Sequence, residues 1–195
     1  FMMGEGRDKH TETVSDFYIG KFEVTQKLWK AVMGTNPSRR WIGDNLPVEN
    51  INLDDCLAFI DKLNQLTGMS FRLPTEAEWE FAANGGIRTH GFIYSGSNNI
   101  DDVAWSDENT DISVEGIRLV GKKLPNELGI YDMCGNVSEF IWNSSIDSRP
   151  VNNWAKIWRG GSYHCNAKNC IISSRAQGNI ISCYEWNGLR LAIDK

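Results

Sequence analysis

Apolar positions in the first half of the chain recur at two periods. Over Phe1–Gly4 and again over Phe17–Val24, apolar and polar residues alternate, the pattern of short half-buried strands, with a charged turn between them. The period then lengthens. Leu28, Trp29, Val32 and Met33 share one helical face, Thr25 stands at the N-cap position, Gly34 stops the helix and Asn36-Pro37 opens a turn. A clearer helix covers Asp54–Leu66, where Cys56, Leu57, Phe59, Ile60, Leu63 and Leu66 return at helical intervals between an Asn52 cap and Gly68. A third starts at Thr75, which forms a capping box with Glu78; Glu76 suits the positive helix end, and Trp79, Phe81 and Ala82 supply the packing surface.

After Gly85-Gly86 the periodicity fades into short strands and loops marked by Gly, Asn, Asp and Ser. No repeat or low-complexity linker divides the chain. Residues 1–195 therefore read as one α+β domain, with two or three helices flanking a small twisted sheet and many irregular loops. Long loops in a compact domain are usually there for function, which directs attention to the second half.

Composition narrows the partners. The chain has 195 residues, a net charge of -5, 8 Trp and 8 Phe, enough apolar material for a core without staples. Its acidic balance argues against a nucleic-acid groove, and no apolar run reaches the length of a membrane span. Cys56, Cys134, Cys165, Cys170 and Cys183 form no C-x-x-C pair, and His10, His90 and His164 lack zinc spacing to a cysteine pair. An export signal or lipid anchor would lie upstream of Phe1. Paired acids such as Asp54-Asp55 and Asp101-Asp102 suit caps and turns, and nothing resembles a nucleophile elbow or a phosphate loop.

Several motifs occur in order: Phe1-Met2-Met3-Gly4, Lys21-Phe22-Glu23-Val24-Thr25, Met33-Gly34-Thr35-Asn36-Pro37-Ser38, Arg72-Leu73-Pro74-Thr75-Glu76-Ala77-Glu78-Trp79-Glu80, Leu124 to Met133, Gly135-Asn136-Val137, Arg159-Gly160-Gly161-Ser162 and Gly188-Leu189-Arg190-Leu191. As a set they resemble the formylglycine-generating-enzyme (sulfatase-modifying-factor) family over nearly the whole chain. The resemblance implies a C-type-lectin-like fold. It also implies two readings of the C-terminal stretch 159–190, since one fold hosts several jobs.

In the first reading the chain is a copper-dependent oxidase of a sulfatase cysteine. Cys165 and Cys170 stand where the resemblance places a copper(I)-binding pair, and soft thiolates suit that soft cation. Asn166, Lys168-Asn169 and Ile171-Ile172-Ser173-Ser174 depart from the residues that surround the pair in the enzymes. Glu139, after Gly135-Asn136-Val137-Ser138, is a calcium candidate through its hard oxygens, although Ser138 replaces the Trp usual there.

The second reading, which the residues favour, is a non-enzymatic ligand-display surface for a protein or other macromolecule, with export or cell-surface placement as its corollary. Tyr163, His164, Cys165, Ile171, Ile172, Ser174, Gly178, Ile180, Ile181, Ser182, Cys183, Tyr184 and Trp186 mix aromatic and apolar groups without strand or helix period. Rigid aromatics on loops give contact area at low entropic cost. The bland alternative is that these side chains fill the core beneath the loops. Some relatives that the chain resembles are variable proteins of diversity-generating retroelements, which randomise adenines in a C-terminal repeat. A scrambled Asn codon yields Tyr, His, Cys, Ile, Ser, Gly or Asp, among others, but never Trp, Lys, Gln, Glu or Met. Most of the set obeys that rule; Lys168, Gln177, Glu185 and Trp186 do not and would be fixed.

Overall fold

The structure, a computed structural model, describes residues 1–111, 113–114, 116–142, 154–179 and 181–195. The elements run β1 (Met2–Met3), β2 (His10–Thr11), β3 (Phe17–Ile19), α1 (Gln26–Met33), α2 (Leu53–Thr67), α3 (Glu76–Ala83), α4 (Ile100–Val103), β4 (Ser138–Phe140), β5 (Trp154–Arg159), β6 (Arg175–Asn179), β7 (Asn187–Leu189) and β8 (Ala192–Asp194). This is an α+β fold, with its helices early and its main sheet late.

Local chemistry sets the helix ends. The Leu28 amide donates to the Thr25 hydroxyl at 3.3 Å, and Gly34 terminates α1 at φ 83°, a conformation that costs glycine little. Asn52 with Asp55 and Thr75 with Glu78 form reciprocal capping boxes at α2 and α3. Two expected faces change. Leu28 and Leu66 point outward, at 37% and 64% exposure, while Gln26 turns inward at 2%. Gln26 holds the 36–47 loop: its Nε2 donates to the Trp41 and Pro47 carbonyls at 2.9 and 3.2 Å, and its Oε1 accepts from Asn36 and Gly43. The expected strand over Phe17–Val24 stops at Ile19, because Glu23 turns inward to accept from Asn136 and the Val137 amide.

Among the described residues a four-stranded sheet runs β6-β5-β4-β7, antiparallel except for the β4–β7 pair, and β3 pairs antiparallel with β8. One core lies between α1, α2 and the sheet, where Trp29 stacks on Phe59 at 4.7 Å beside Ile51, Leu63, Phe140 and Leu189. A second surrounds Trp79 with Ile100, Met133, Ile141, Cys170 and Ile172. The β4–β7 pairing and the bridge from Ile51 to Tyr184 bring the C-terminal loops across the first core. No helix among the described residues is long and apolar enough to cross a membrane.

Candidate functional site: an aromatic ladder on a buried arginine frame

Two buried arginines bound the C-terminal stretch. The Arg159 guanidinium pairs with Glu80, reaches Glu76 Oε1 at 3.3 Å and donates to the Ile172 carbonyl at 2.9 Å. Arg190 donates to both oxygens of Glu139 at 2.7–3.0 Å and to the carbonyls of Gly20 and Tyr131 at 2.8 Å. Removing such charges from water is costly, and only this density of partners makes the arrangement tolerable. The chain between them is thereby tied to α3 at one end and to β4 at the other. Gly161, at φ 70°, passes so close to Asn169 and Cys170 that a Cβ would meet the carbonyl oxygen at 2.7 Å and the sulfur at 2.8 Å.

On this frame the rings form a ladder. His164 stacks on Trp186 at 5.4 Å and 28°, and Trp186 on Tyr184 at 5.0 Å and 21°. Tyr184 meets the Trp158 ring edge to face at 5.9 Å. Backbone contacts fix each rung. The Asn50 and Asn187 amides donate to the Tyr184 carbonyl at 3.0 and 3.2 Å, the Ser138 amide to that of Trp186 at 2.7 Å, and the His164 amide to Ser162 Oγ at 3.3 Å. His164 is exposed while Tyr184 and Trp186 are half-buried, so the ladder has one wet side and one packed side. Ile181 and Cys183 are exposed and Ser182 is half-buried in the same loop; Ile180 lies outside the described residues.

Not every expected residue joins this surface. Tyr163 is 3% exposed and packs against Trp41 at 5.5 Å, and Ile172, at 5%, belongs to the core around Trp79. Both are corrected from surface to interior: the Tyr163 amide donates to Asn136 and the Ile172 carbonyl is drawn in by Arg159. Gly178 is framework as well, since a Cβ there would meet the Trp158 ring at 2.0 Å. Half-buried Ile171 lines a different cleft, of about 260 Å³, with Met2, Glu5, Lys9, Glu80 and Phe92. Ser174 is half-buried, its amide bonded to the Ile171 carbonyl.

The metal candidates have other partners. Cys170 is fully buried, its Sγ 3.8 Å from the Ser162 carbonyl, and burial foremost, with Cys134 and Cys165 nearby, pushes its thiol well above the ordinary range. Half-buried Cys165 stands beside it, its Sγ 3.4 Å from Ser162 Oγ. Glu139 spends its oxygens on Arg190 and on the Trp79 indole at 2.7 Å. That makes it the counter-ion of a buried guanidinium, a correction to its reading as a calcium ligand.

Sequence pattern did not reveal a buried acid next to Asn50, whose amide bonds the Tyr184 carbonyl. Glu49 is 1% exposed, and neither carboxylate oxygen has a hydrogen-bond partner. Burial first, then the charge of Glu185, raise its pKa to about 7; the Ser38 hydroxyl and Arg39 amide oppose this from beside it, short of hydrogen-bond geometry. Trp41 and Trp158, which brace Tyr163 and Tyr184, also carried no local signal.

The model of the sulfatase-modifying factor enzyme 1-like domain matches residues 1–195. The chain is 37% identical to "Chaperone protein LppX" of Paenibacillus barcinonensis, over 94% of this chain and 82% of that protein. It is 28% identical to the formylglycine-generating enzyme of Thermomonospora curvata, over 88% of this chain but only 63% of the enzyme. Among solved structures, Treponema denticola variable protein 1 superposes with a TM-score of 0.87 and 29% identity, covering 100% of this chain and 92% of that one.

Proposed function

The chain belongs to the sulfatase-modifying factor enzyme 1-like domain family, and from that premise we propose that it is a non-enzymatic ligand-display protein. Its binding surface comprises His164, Ile181, Ser182, Cys183, Tyr184 and Trp186, and its ligand is a protein or other macromolecule. The carrying observation is the ladder: three stacked rings, half-exposed or exposed, on a backbone pinned from the 50s loop, β4 and the Ser162 turn. Stacked rings held rigid before binding lose little entropy when a partner covers them.

Two further observations support this reading over oxidation of a cysteine. The similarity to a variable protein spans the whole chain, and Cys170 is fully buried in the core around Trp79. Diversification by a retroelement, a C-type-lectin-like display role and placement at a cell surface go with it. Under diversification Ile181, Ser182, Cys183, Tyr184 and His164 are the variable positions, and Glu185 and Trp186 stay fixed. Gly178 and the inward Tyr163 and Ile172 are then poor places to vary.

The test pairs binding with folding. A displayed peptide library is selected on the wild-type chain, and the selected peptides are measured against Trp186→Ala and Ile181→Asp. The reading expects affinity to fall at least about tenfold, or ~1.4 kcal/mol, with both variants still unfolding cooperatively near the wild-type temperature. Unchanged affinity, or variants that no longer fold, would overturn it. For the diversified form, the neighbouring DNA should hold a near-copy of the C-terminal coding stretch that differs at adenines.

A further inference from the structure

Ile171, set apart from the ladder, stands on a second pinned piece of backbone. The Arg159 guanidinium donates to the Ile172 carbonyl at 2.9 Å and reaches that of Ser173 at 3.5 Å. The Ile172 amide donates to the Ile93 carbonyl at 3.1 Å, and Ser173 Oγ to Glu5 Oε2 at 2.9 Å. The N-terminal hairpin is held as well, since β1 pairs with β2 and the Gly4 amide donates to Glu80 Oε1 at 2.5 Å. The cleft of about 260 Å³ between these walls is therefore formed before anything enters it.

Its lining is part apolar and part polar. Met2 and Ile93 are 50% and 55% exposed although they line a hollow, and half-buried Phe92 and Ile171 continue the apolar side. Large apolar groups gathered around one exposed hollow mark a place that a partner covers. The charges nearly balance. Glu80 also lines the cleft, but its oxygens are taken by Arg159 and the Gly4 amide. Exposed Lys9 has no acid paired with it among the described residues, and exposed Glu5 gives only Oε2 to Ser173. One donor and one acceptor beside an apolar hollow match the C=O and N–H of a peptide chain better than they match a charged ligand.

We propose that this cleft receives one apolar side chain, of leucine, isoleucine or methionine size, from an extended segment of a protein partner. Lys9 and Glu5 meet the flanking peptide groups, and Ile171 sets which side chain fits. The proposal rests on the ligand-display reading above and adds a second contact to it. Size decides for a single side chain: the cleft's 260 Å³ falls below the roughly 300–1,000 Å³ of pockets that take a whole small molecule or cofactor. An apolar anchor seated in a ready-made pocket is also an efficient contact, because little of the protein is ordered when it binds.

The codon rule adds a consequence. Isoleucine is among the products of a scrambled Asn codon, whereas Met2, Phe92 and Ile93 lie far from the C-terminal stretch in sequence. Under diversification one wall of the cleft varies against constant ones, so a change at Ile171 alters the side chain accepted without rebuilding the site.

The experiment titrates N-acetyl-leucinamide into the full chain and follows the methyl resonances of Ile171, Ile93 and Met2 by NMR, with N-acetyl-glycinamide as the control that lacks a side chain. The expected result is saturable shifts with the leucine derivative alone, weakened about tenfold in Ile171→Trp, which fills the cleft, and about threefold in Ile93→Ser. Ile93 is more than half exposed, so Ile93→Ser should unfold near the wild-type temperature and separates lost binding from lost folding. Equal responses to the two amides, shifts that do not saturate, or undiminished binding in Ile93→Ser would refute the proposal. Selected peptides distinguish the two levels. If they depend on Trp186 but bind Ile171→Trp and Ile93→Ser as they bind the wild type, display stands and the cleft falls. If they ignore Trp186→Ala and Ile181→Asp but are lost with Ile171→Trp and Ile93→Ser, the cleft stands and the ladder falls.

Discussion

At the scale of single residues, this molecule is notable for the charges it encloses. Glu23, Asp132, Glu139 and Arg190 share one buried neighbourhood, and burial foremost raises the pKa of Glu23 well above its usual range and that of Asp132 to about 6. Arg190 offsets this acidity, so Arg190→Met should cost about 3–5 kcal/mol in urea unfolding, the range for removing one partner of a buried pair. Glu49 makes a prediction in pH. Its folded pKa of about 7 stands above the unfolded value of 4.5, so between those pH values the folded chain holds a proton that the unfolded chain has released. That contribution is complete below the unfolded value and is lost as pH rises through 7. Glu49→Gln should therefore gain on the wild type between pH 5 and pH 8 by on the order of 2 kcal/mol. The shift of Asp132 is common to both chains and cancels in that difference. A gap that stays constant with pH would place the titration elsewhere.

At the scale of elements, the caps are the most directly predictable parts. Asn52 accepts from the Asp55 amide at 2.9 Å and Thr75 from the Glu78 amide at 3.2 Å, so Asn52→Ala and Thr75→Ala should each lose about 1 kcal/mol in urea unfolding. These features were legible in the sequence because a cap is local: its donor and acceptor lie three residues apart. The helix faces were legible only in part. Periodicity groups residues onto a stripe, but a short helix at the rim buries only some of it, so Leu28 and Leu66 face water while Gln26 turns inward for its four loop partners. In the C-terminal loops the signal fails for a different reason. Without a period, an inward ring and an outward ring look alike; Tyr163 and His164 are neighbours, yet one is in the interior and the other in water. The stacking of His164, Trp186 and Tyr184 depends on β4 and β7 pairing in parallel, which no local pattern encodes. Glu49 was hidden because its role depends on residues far along the chain.

At the scale of the whole molecule, the C-terminal stretch divides into a frame and what the frame presents. Arg159, Arg190, Gly161 and Gly178 lock the backbone, and the inward Tyr163, Cys170 and Ile172 anchor the loops to the cores. The side chains left over form the ladder, while Ile171 goes to the N-terminal cleft near Met2 and Glu5. That division, a constant interior carrying a separable surface, is the central claim. The most direct test is a matched set of urea unfolding curves for His164→Ser, Ile181→Ser and Trp186→Ala against the core variant Trp79→Ala. The expected losses are below about 1.5 kcal/mol for each of the three surface variants and about 3–5 kcal/mol for Trp79→Ala. If Trp186→Ala and Ile181→Ser instead lost as much as Trp79→Ala, the ladder would be core, and the separation of surface from frame would be contradicted.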